Sequence, residues 1–506
     1  MHSIVGMVAT DKVTLEGDSG AGYGQLKPHF VLVPFFAQGH VIPMIDLARL
    51  LAARGILVTV VSTPSNSSRF KPLVDRANAA GLLIRIADLC FPCAEVGLPD
   101  GCENIDLLPS RDLVSNFFAA LPKLKEPLVR YLREHRPEPS CLVTDSCMPW
   151  TRDVAEELRL PRFVFHGPSC FYMLCSRNVA AGSPEQVPAD ALQPFLVPGL
   201  PEHKVEVIRG QALRLFDVPG REKLRDQVIE AEATADGIVF NTFGEMEAPF
   251  LDLYQKTLGK PIWPIGPFCF ASQETQDAVL RGNKNSVDAR RISDWLDSND
   301  PASVIYISFG TITTNSYAHM FEIGLGLEAS HRPFIWVIKP VDMSPEVGHW
   351  LAGGFEERTR SQGLILTGWV PQMMILSHPA VGAFLTHCGW NSSLEAVAAG
   401  VPVITWPHFW DQFLNEKLVV EVLRIGVALK SQMKTPFVSR ESEGLIGRAN
   451  VERAVESVMG DGEEAEQIRK RARAMGVEAR KAMKPGGTSY ESLSRMIQHI
   501  LEFGNN

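Results

Sequence analysis

The chain has 506 residues, of which 21% are charged and 45% apolar, and its formal net charge is −9. That balance describes a water-compatible globule and argues against a nucleic-acid partner, which would call for a basic face. The length exceeds one ordinary core and suits two α/β domains of about 200 to 250 residues each.

Residues 1–26 hold Asp11, Lys12, Glu16 and Asp18 and no apolar core, so they read as a disordered N-terminal extension rather than a signal peptide. The first domain is expected over 27–267. It opens with strand HFVLVPFF, the loop AQGH and a helix whose Met44, Leu47, Ala48 and Leu51 fall at i, i+3, i+4 and i+7. Strands ILVTVVST, CLVTDSC, RFVFHG and GIVFNTF follow, the alternation of a parallel sheet with helices on both faces. Residues 268–291 turn polar without a clear period and read as the interdomain linker. A second alternating series, SVIYISFG, FIWVIK and LILTGWV, starts a domain over 292–484, and SYESLSRMIQHILEF makes an amphipathic helix within 485–506. No apolar run approaches about 20 residues, so membrane insertion is not expected. The nine cysteines are odd in number and scattered, which suits a reducing, cytoplasmic location, and a monomer is expected.

The densest chemistry lies between Trp369 and Gln412, WVPQMMILSHPAVGAFLTHCGWNSSLEAVAAGVPVITWPHFWDQ. VGAFLTH reads as a buried strand, CGWN as a turn and SSLEAVAA as a helix closed by Gly400. A helix therefore begins beside His387, Asn391 and Ser392, and its first N–H groups would bind a phosphate. Gly389 would admit a ligand close to the backbone. Glu395 could accept two ribose hydroxyl protons, Trp369 offers a flat face for a base, and Asp411 with Gln412 offers an acceptor and an amide for a sugar. Each residue also has a structural reading: Asn391 as an N-cap, Ser392 with Glu395 as a capping box, and Trp369 and Trp390 as packing residues.

In the first half, His40 follows the opening strand at its carboxyl end, where α/β sheets place their sites, and is the candidate base. The nearby helix N-terminus is expected to disfavour the imidazolium. Asp145 ends CLVTD and could hold the second ring nitrogen, or simply cap the helix that follows. No D-x-D pair occurs, so a metal site of that kind is not expected.

The Trp369–Gln412 stretch resembles the signature box of the plant family-one UDP-glycosyltransferases in its W-x-P-Q opening, H-C-G-W-N-S centre and D-Q close. The likeness continues from about Pro28 to the C-terminus. PHFVLVPFFAQGHVIPMIDLARLLAARG and FPCAEVGLPDGCENIDLLPS look most like the branch that glucosylates flavonoids, triterpenoid sapogenins, steroids and cytokinins. The resemblance implies the α/β GT-B fold, two Rossmann-like domains across a cleft, with the last helix returning to the first domain. It implies a His40–Asp145 dyad and a UDP-sugar seat that includes Val370, in which Trp369 and Gln372 meet uracil and Glu395 meets ribose. Thr311, His387, Gly389, Asn391 and Ser392 would then meet the diphosphate, and Trp390, Asp411 and Gln412 the sugar. UDP-glucose is the expected donor and a small hydrophobic compound the acceptor, with no cofactor; Gly39, Phe117, Phe118, Met148 and Trp150 could line the acceptor pocket, and the last four serve equally well as ordinary core packing. A single base and no carboxylate nucleophile imply one inverting displacement.

Two rivals remain in the sequence. Gly324–Ala329 formally matches the G-x-G-x-x-A nicotinamide fingerprint, but AHMFEIGLGLEAS reads as a helix interior rather than a strand–helix turn. A nucleotide-sugar-binding protein without turnover is the other, and it would have no need of a base.

Overall fold

A computed structural model describes residues 28–217, 219–271, 275–282, 287–429 and 446–503. The expected N-terminal extension lies outside the described residues. The first sheet contains β1 His29–Val33, β2 Leu57–Ser62, β3 Ile84–Asp88, β4 Cys141–Asp145, β5 Arg162–His166, β8 Gly237–Phe240 and β9 Ile262–Pro264. Between its fifth and sixth strands lies a small antiparallel hairpin, β6 Phe195–Leu196 and β7 Glu206–Val207. The second sheet contains β10 Val304–Ser308, β11 Phe334–Ile338, β12 Gly363–Thr367, β13 Val381–Thr386, β14 Val403–Thr405 and β15 Gly426–Ala428. The orders are β3-β2-β1-β4-β5-β8-β9 and β12-β11-β10-β13-β14-β15, with every pairing within them parallel. These two parallel α/β domains make the GT-B fold.

Alternation explains the layering. Successive side chains of a strand point to opposite faces, so a central strand covered by helices on both sides is apolar throughout. In β1, Phe30 and Leu32 pack with Met44, Leu47 and Leu51 of helix α1 (Gln38–Ala52), whereas Val31 and Val33 pack with Leu124 and Leu128 on the other face. In β10 the same division sends Ile305 and Ile307 one way and Val304 and Tyr306 the other. A charge at any of these positions would have no wet face to turn to.

The polar stretch after Pro264 is more structured than its composition suggests. Phe268 is wholly buried in the first domain's core, and Thr275–Leu280 forms a short helix. Ion pairs anchor that helix beside the apolar contact of Leu280: Asp277 receives Arg76 Nε at 2.7 Å from helix α2 (Pro64–Ala79) and also pairs with Arg49 of α1. A hydrophobic-periodicity reading is blind to such an anchor. At the far end, the Thr488–Phe503 helix buries Leu493, Met496 and Ile500 in the first domain's core.

Candidate active site

Each sheet reverses its strand order once, and ligand crevices open at such switch points, beyond the strands' carboxyl ends. In the first sheet the switch lies between β1 and β4. His40, the third residue of α1, and Asp145, the last of β4, stand on its two sides. His40 Nδ1 lies 2.7 Å from Asp145 Oδ2, and Asp145 Oδ1 accepts the Cys147 backbone N–H at 2.9 Å. The aspartate is buried and its carboxylate is committed to orienting the ring, which leaves Nε2 for a substrate proton.

Burial alone would lower the pKa of His40, but the charge and hydrogen bond of Asp145 outweigh it, with help from Asp106 and Asp411, and the net shift is upward. The expectation that the helix N-terminus disfavours the imidazolium is therefore reversed, because a carboxylate in contact outweighs a partial dipole charge. His40, Asp145 and Cys147 are the one group among the described residues whose possible metal-ligating atoms lie within 4.8 Å of one another. The Cys147 thiol is pushed well up by burial, so it is held protonated.

In the second sheet the switch lies between β10 and β13, with Ser308 to Thr311 leaving one strand and His387 the other. Thr311 is exposed there. The helix after β13 runs from Trp390 to Ala399 and closes on Gly400 at φ 75°. Its N-cap is Gly389, so Asn391 is not the cap, and Ser392 with Glu395 does not form a capping box. The side chains are engaged elsewhere. Gln372 Nε2 donates to Glu395 Oε2 at 2.7 Å and to Ser392 Oγ at 3.2 Å, and its Oε1 accepts from Tyr306 at 3.2 Å. Asn391 Nδ2 reaches across the cleft to the Gly39 carbonyl at 2.6 Å.

His387 sits between two glycines: a Cβ on Gly310 would overlap its ring, and one on Gly389 would come within 2.5 Å of Nε2. The need for glycine at 389 thus comes from this ring, since its φ of −57° suits any residue. Burial, reinforced by Lys339, lowers the His387 pKa to about 3, so the ring is neutral and would serve a diphosphate as an N–H donor rather than a charge. Trp369 is half-buried, Val370 is buried, and a Cβ on Gly282 would overlap the Trp369 indole.

Cys388 and Trp410 adopt φ values of 66° and 51°, a region non-glycine residues enter at a cost, and they immediately precede Gly389, the N-cap of one helix, and Asp411, the first residue of another. Burial raises the Asp411 carboxyl to about 6 even though Asn415 Nδ2 donates to it at 2.7 Å. Gln412 Oε1 accepts the backbone N–H groups of His408 and Phe409 at 2.9 and 3.3 Å. With its oxygen taken by the backbone, the Gln412 amide has its N–H groups left to offer a sugar. The buried Trp390 indole N–H donates to the Asn241 carbonyl of the first domain at 2.9 Å.

Next to His40 is a wall of aromatic rings. Phe35 meets His40 edge-on at 5.2 Å and stacks on Phe118 at 5.7 Å, and Phe118 in turn meets Phe216 at 5.4 Å. Phe118 is partly exposed, whereas Phe117, Met148 and Trp150 are buried in the core behind it. Gly39 is exposed at the cleft. The sequence reading missed Phe35, Asn415 and Arg281. The i, i+4 spacing of Asp411 and Asn415 was a legible signal, and Phe35 lay in plain view beside the strand; Arg281, in the polar stretch, had none.

Two family models cover nearly the whole chain: the glycosyltransferase N-terminal domain over residues 29–269, and UDP-glucoronosyl and UDP-glucosyl transferase over 262–463. UDP-glycosyltransferase 73C2 of Arabidopsis thaliana is 43% identical over 94% of this chain and 96% of that protein. The chain belongs to the plant UDP-glycosyltransferase family. UDP-glycosyltransferase 73C11 of Barbarea vulgaris is 40% identical over 94% of this chain and 97% of its own length. The crystal structure of Glycyrrhiza uralensis UGT73P12, complexed with glycyrrhetinic acid 3-O-monoglucuronide, superposes with a TM-score of 0.86 at 33% identity, covering 94% of this chain and 96% of that one. Phytolacca americana UGT2, complexed with UDP-2fluoro-glucose and pterostilbene, gives 0.74 at 25% identity, covering 94% and 99%. This UDP-glycosyltransferase accordingly transfers sugar from a UDP-sugar to a small-molecule acceptor. Among the described residues, no helix is long and apolar enough to cross a membrane.

Proposed function

We propose that the enzyme transfers glucose from UDP-glucose to a hydroxyl of a hydrophobic small molecule, with inversion and without a metal, to give a β-O-glucoside. The observation that carries this reading is the His40–Asp145 pair at 2.7 Å, one residue from the Gly39–Asn391 bridge to the donor half. The acceptor hydroxyl bonds to His40 Nε2 and gives up its proton there as its oxygen attacks the anomeric carbon from the face opposite the diphosphate. The bond from that carbon to the diphosphate oxygen breaks, UDP leaves with the electron pair, and Asp145 stabilises the imidazolium. One displacement turns an α-linked donor into a β-product.

In the same reading Trp369, Val370 and Gln372 hold uracil and Glu395 the ribose. Thr311, His387, Gly389, Asn391 and Ser392 hold the diphosphate, whose charge meets the N-terminus of the Trp390–Ala399 helix. Asp411, as acceptor, and Gln412, as donor, hold the sugar beside Trp390. Phe35 and Phe118 favour a flat or polycyclic apolar acceptor; the pterostilbene bound by Phytolacca UGT2 is flat, and the glycyrrhetinic acid glucuronide bound by UGT73P12 contains a polycyclic ring system. Phenolic, triterpenoid and steroid hydroxyls are the classes to test. All nine cysteines are free thiols, which accords with a cytoplasmic enzyme, and we take it to act as a monomer.

The test is UDP release and product analysis with UDP-glucose and a panel of phenolic, triterpenoid, steroid and cytokinin acceptors. A β-glucoside is expected from at least one apolar acceptor. Tight UDP binding with no turnover on any member would favour the binding-protein reading instead.

A further inference from the structure

Arg281 follows the Thr275–Leu280 helix between the two domains, and its side chain is only 9% exposed. Its guanidinium bridges carboxylates from both halves of the molecule. Nε donates to Asp46 Oδ2 at 2.7 Å, on the helix that carries His40, and Nη1 donates to Glu395 Oε1 on the helix of the diphosphate seat. Asp46 is wholly buried and Glu395 nearly so. Two like charges so placed would be costly without the cation between them. Burial works against the guanidinium, but the two carboxylates hold its pKa above the ordinary value.

The bridge also fixes how Glu395 presents itself. One oxygen takes Arg281 and the other takes Gln372 Nε2 at 2.7 Å, so the plane of the carboxylate is set by a donor on each side. Every carboxylate oxygen accepts about two hydrogen bonds. Each oxygen of Glu395 therefore keeps one acceptor direction, as the two adjacent hydroxyls of a ribose require.

We infer that Arg281 is a positioning residue for the nucleotide ribose: it holds Glu395 as a two-oxygen acceptor and ties it to Asp46 on the helix of the base. The inference rests on the assignment of Glu395 to the ribose made above. Arg281 touches no substrate in this scheme and acts through the carboxylate.

Calorimetric titration of the full-length protein with UDP and with 2′,3′-dideoxy-UDP separates the possibilities. Arg281→Gln should weaken UDP by roughly tenfold to a hundredfold, the loss expected of a charged hydrogen bond, and weaken the dideoxy nucleotide far less. Arg281→Lys should recover part of the loss, since an ammonium restores charge but not the fork that bonds in two directions. The KM for UDP-sugar should rise with a much smaller change in kcat, as for an interaction shared by ground and transition states. If Arg281→Gln does not fold, Asp46→Asn/Arg281→Gln, which also removes the stranded charge, gives the same comparison. Unchanged UDP affinity in the Arg281 variants, alongside a loss in Glu395→Gln, would overturn the inference and leave the ribose assignment standing. Tighter UDP binding would overturn it too, by showing that Arg281 competes for the seat. Equal losses of both nucleotides in Glu395→Gln would remove the ribose assignment itself, and the inference with it.

Discussion

Asn391 and Gly39 join the two domains at the point where chemistry is expected, the amide of one donating to the carbonyl of the other at 2.6 Å. Because Gly39 directly precedes His40, the proposed base is held in register with the Trp390–Ala399 helix. The imidazole is thus tied to the second domain through the carbonyl beside it and one short amide side chain.

Replacing His40 by Ala should cost at least about a hundredfold in turnover, the low end for loss of a general base, while UDP binding survives in the other domain. Asp145→Asn should cost less than removal of the ring, and the double variant should be no worse than the worse single one. Steady-state rates together with UDP titration provide the check, and near-normal turnover in His40→Ala would remove this residue from the mechanism.

The pH profile should show the influence of Asp145. A base works when neutral, so activity falls as pH drops through its pKa; with that pKa raised above the ordinary 6.5, the acid limb of kcat/KM should lie above that value. In Asp145→Asn the limb should move to lower pH. An acid limb that stays in place in the variant would separate the two residues.

The sheets were legible because their strands are apolar runs bounded by turn residues: β1, β2, β10 and β13 each fall inside a segment read as a strand from sequence. β3, with its exposed Arg85 and short apolar content, and β9 and β15, three residues each, offered too little pattern. The site divides in the same way. His40, Asp145 and the Trp369–Gln412 segment follow strand ends, so topology alone points to them. Arg281 owes its place to carboxylates distant in sequence, and the roles of Gln412 depend on which backbone N–H groups fold back onto its oxygen. Neither can be read from spacing.

Chelation should leave the rate unchanged. No D-x-D pair is present, and the proposed diphosphate seat uses a helix N-terminus, hydroxyls and the neutral His387 ring. Assay with and without EDTA is sufficient; activity lost to EDTA and restored only by Mn²⁺ or Mg²⁺ would refute this account of the diphosphate.

Glucose should be preferred to galactose. In the proposed seat Asp411 would accept and Gln412 would donate, so a sugar with one hydroxyl inverted leaves a polar partner unmatched, at about 1–3 kcal/mol, or roughly ten- to a hundredfold in use. Competition between the two UDP-sugars in one reaction measures the ratio, and equal use would sink the assignment.

The chain passes between the domains twice, once after Pro264 and once before Thr488, and the two passages are stitched together where Ser489 Oγ donates to the Gly266 carbonyl at 2.5 Å. The covalent crossings are thereby fastened to each other, while Asn391–Gly39, Trp390–Asn241 and Ser169–Asn415 fasten the facing surfaces of the two halves. Gly266 also packs against Asn241, whose carbonyl takes the Trp390 indole N–H, so the crossing is one residue removed from the proposed sugar seat and a substitution at Ser489 would be felt there.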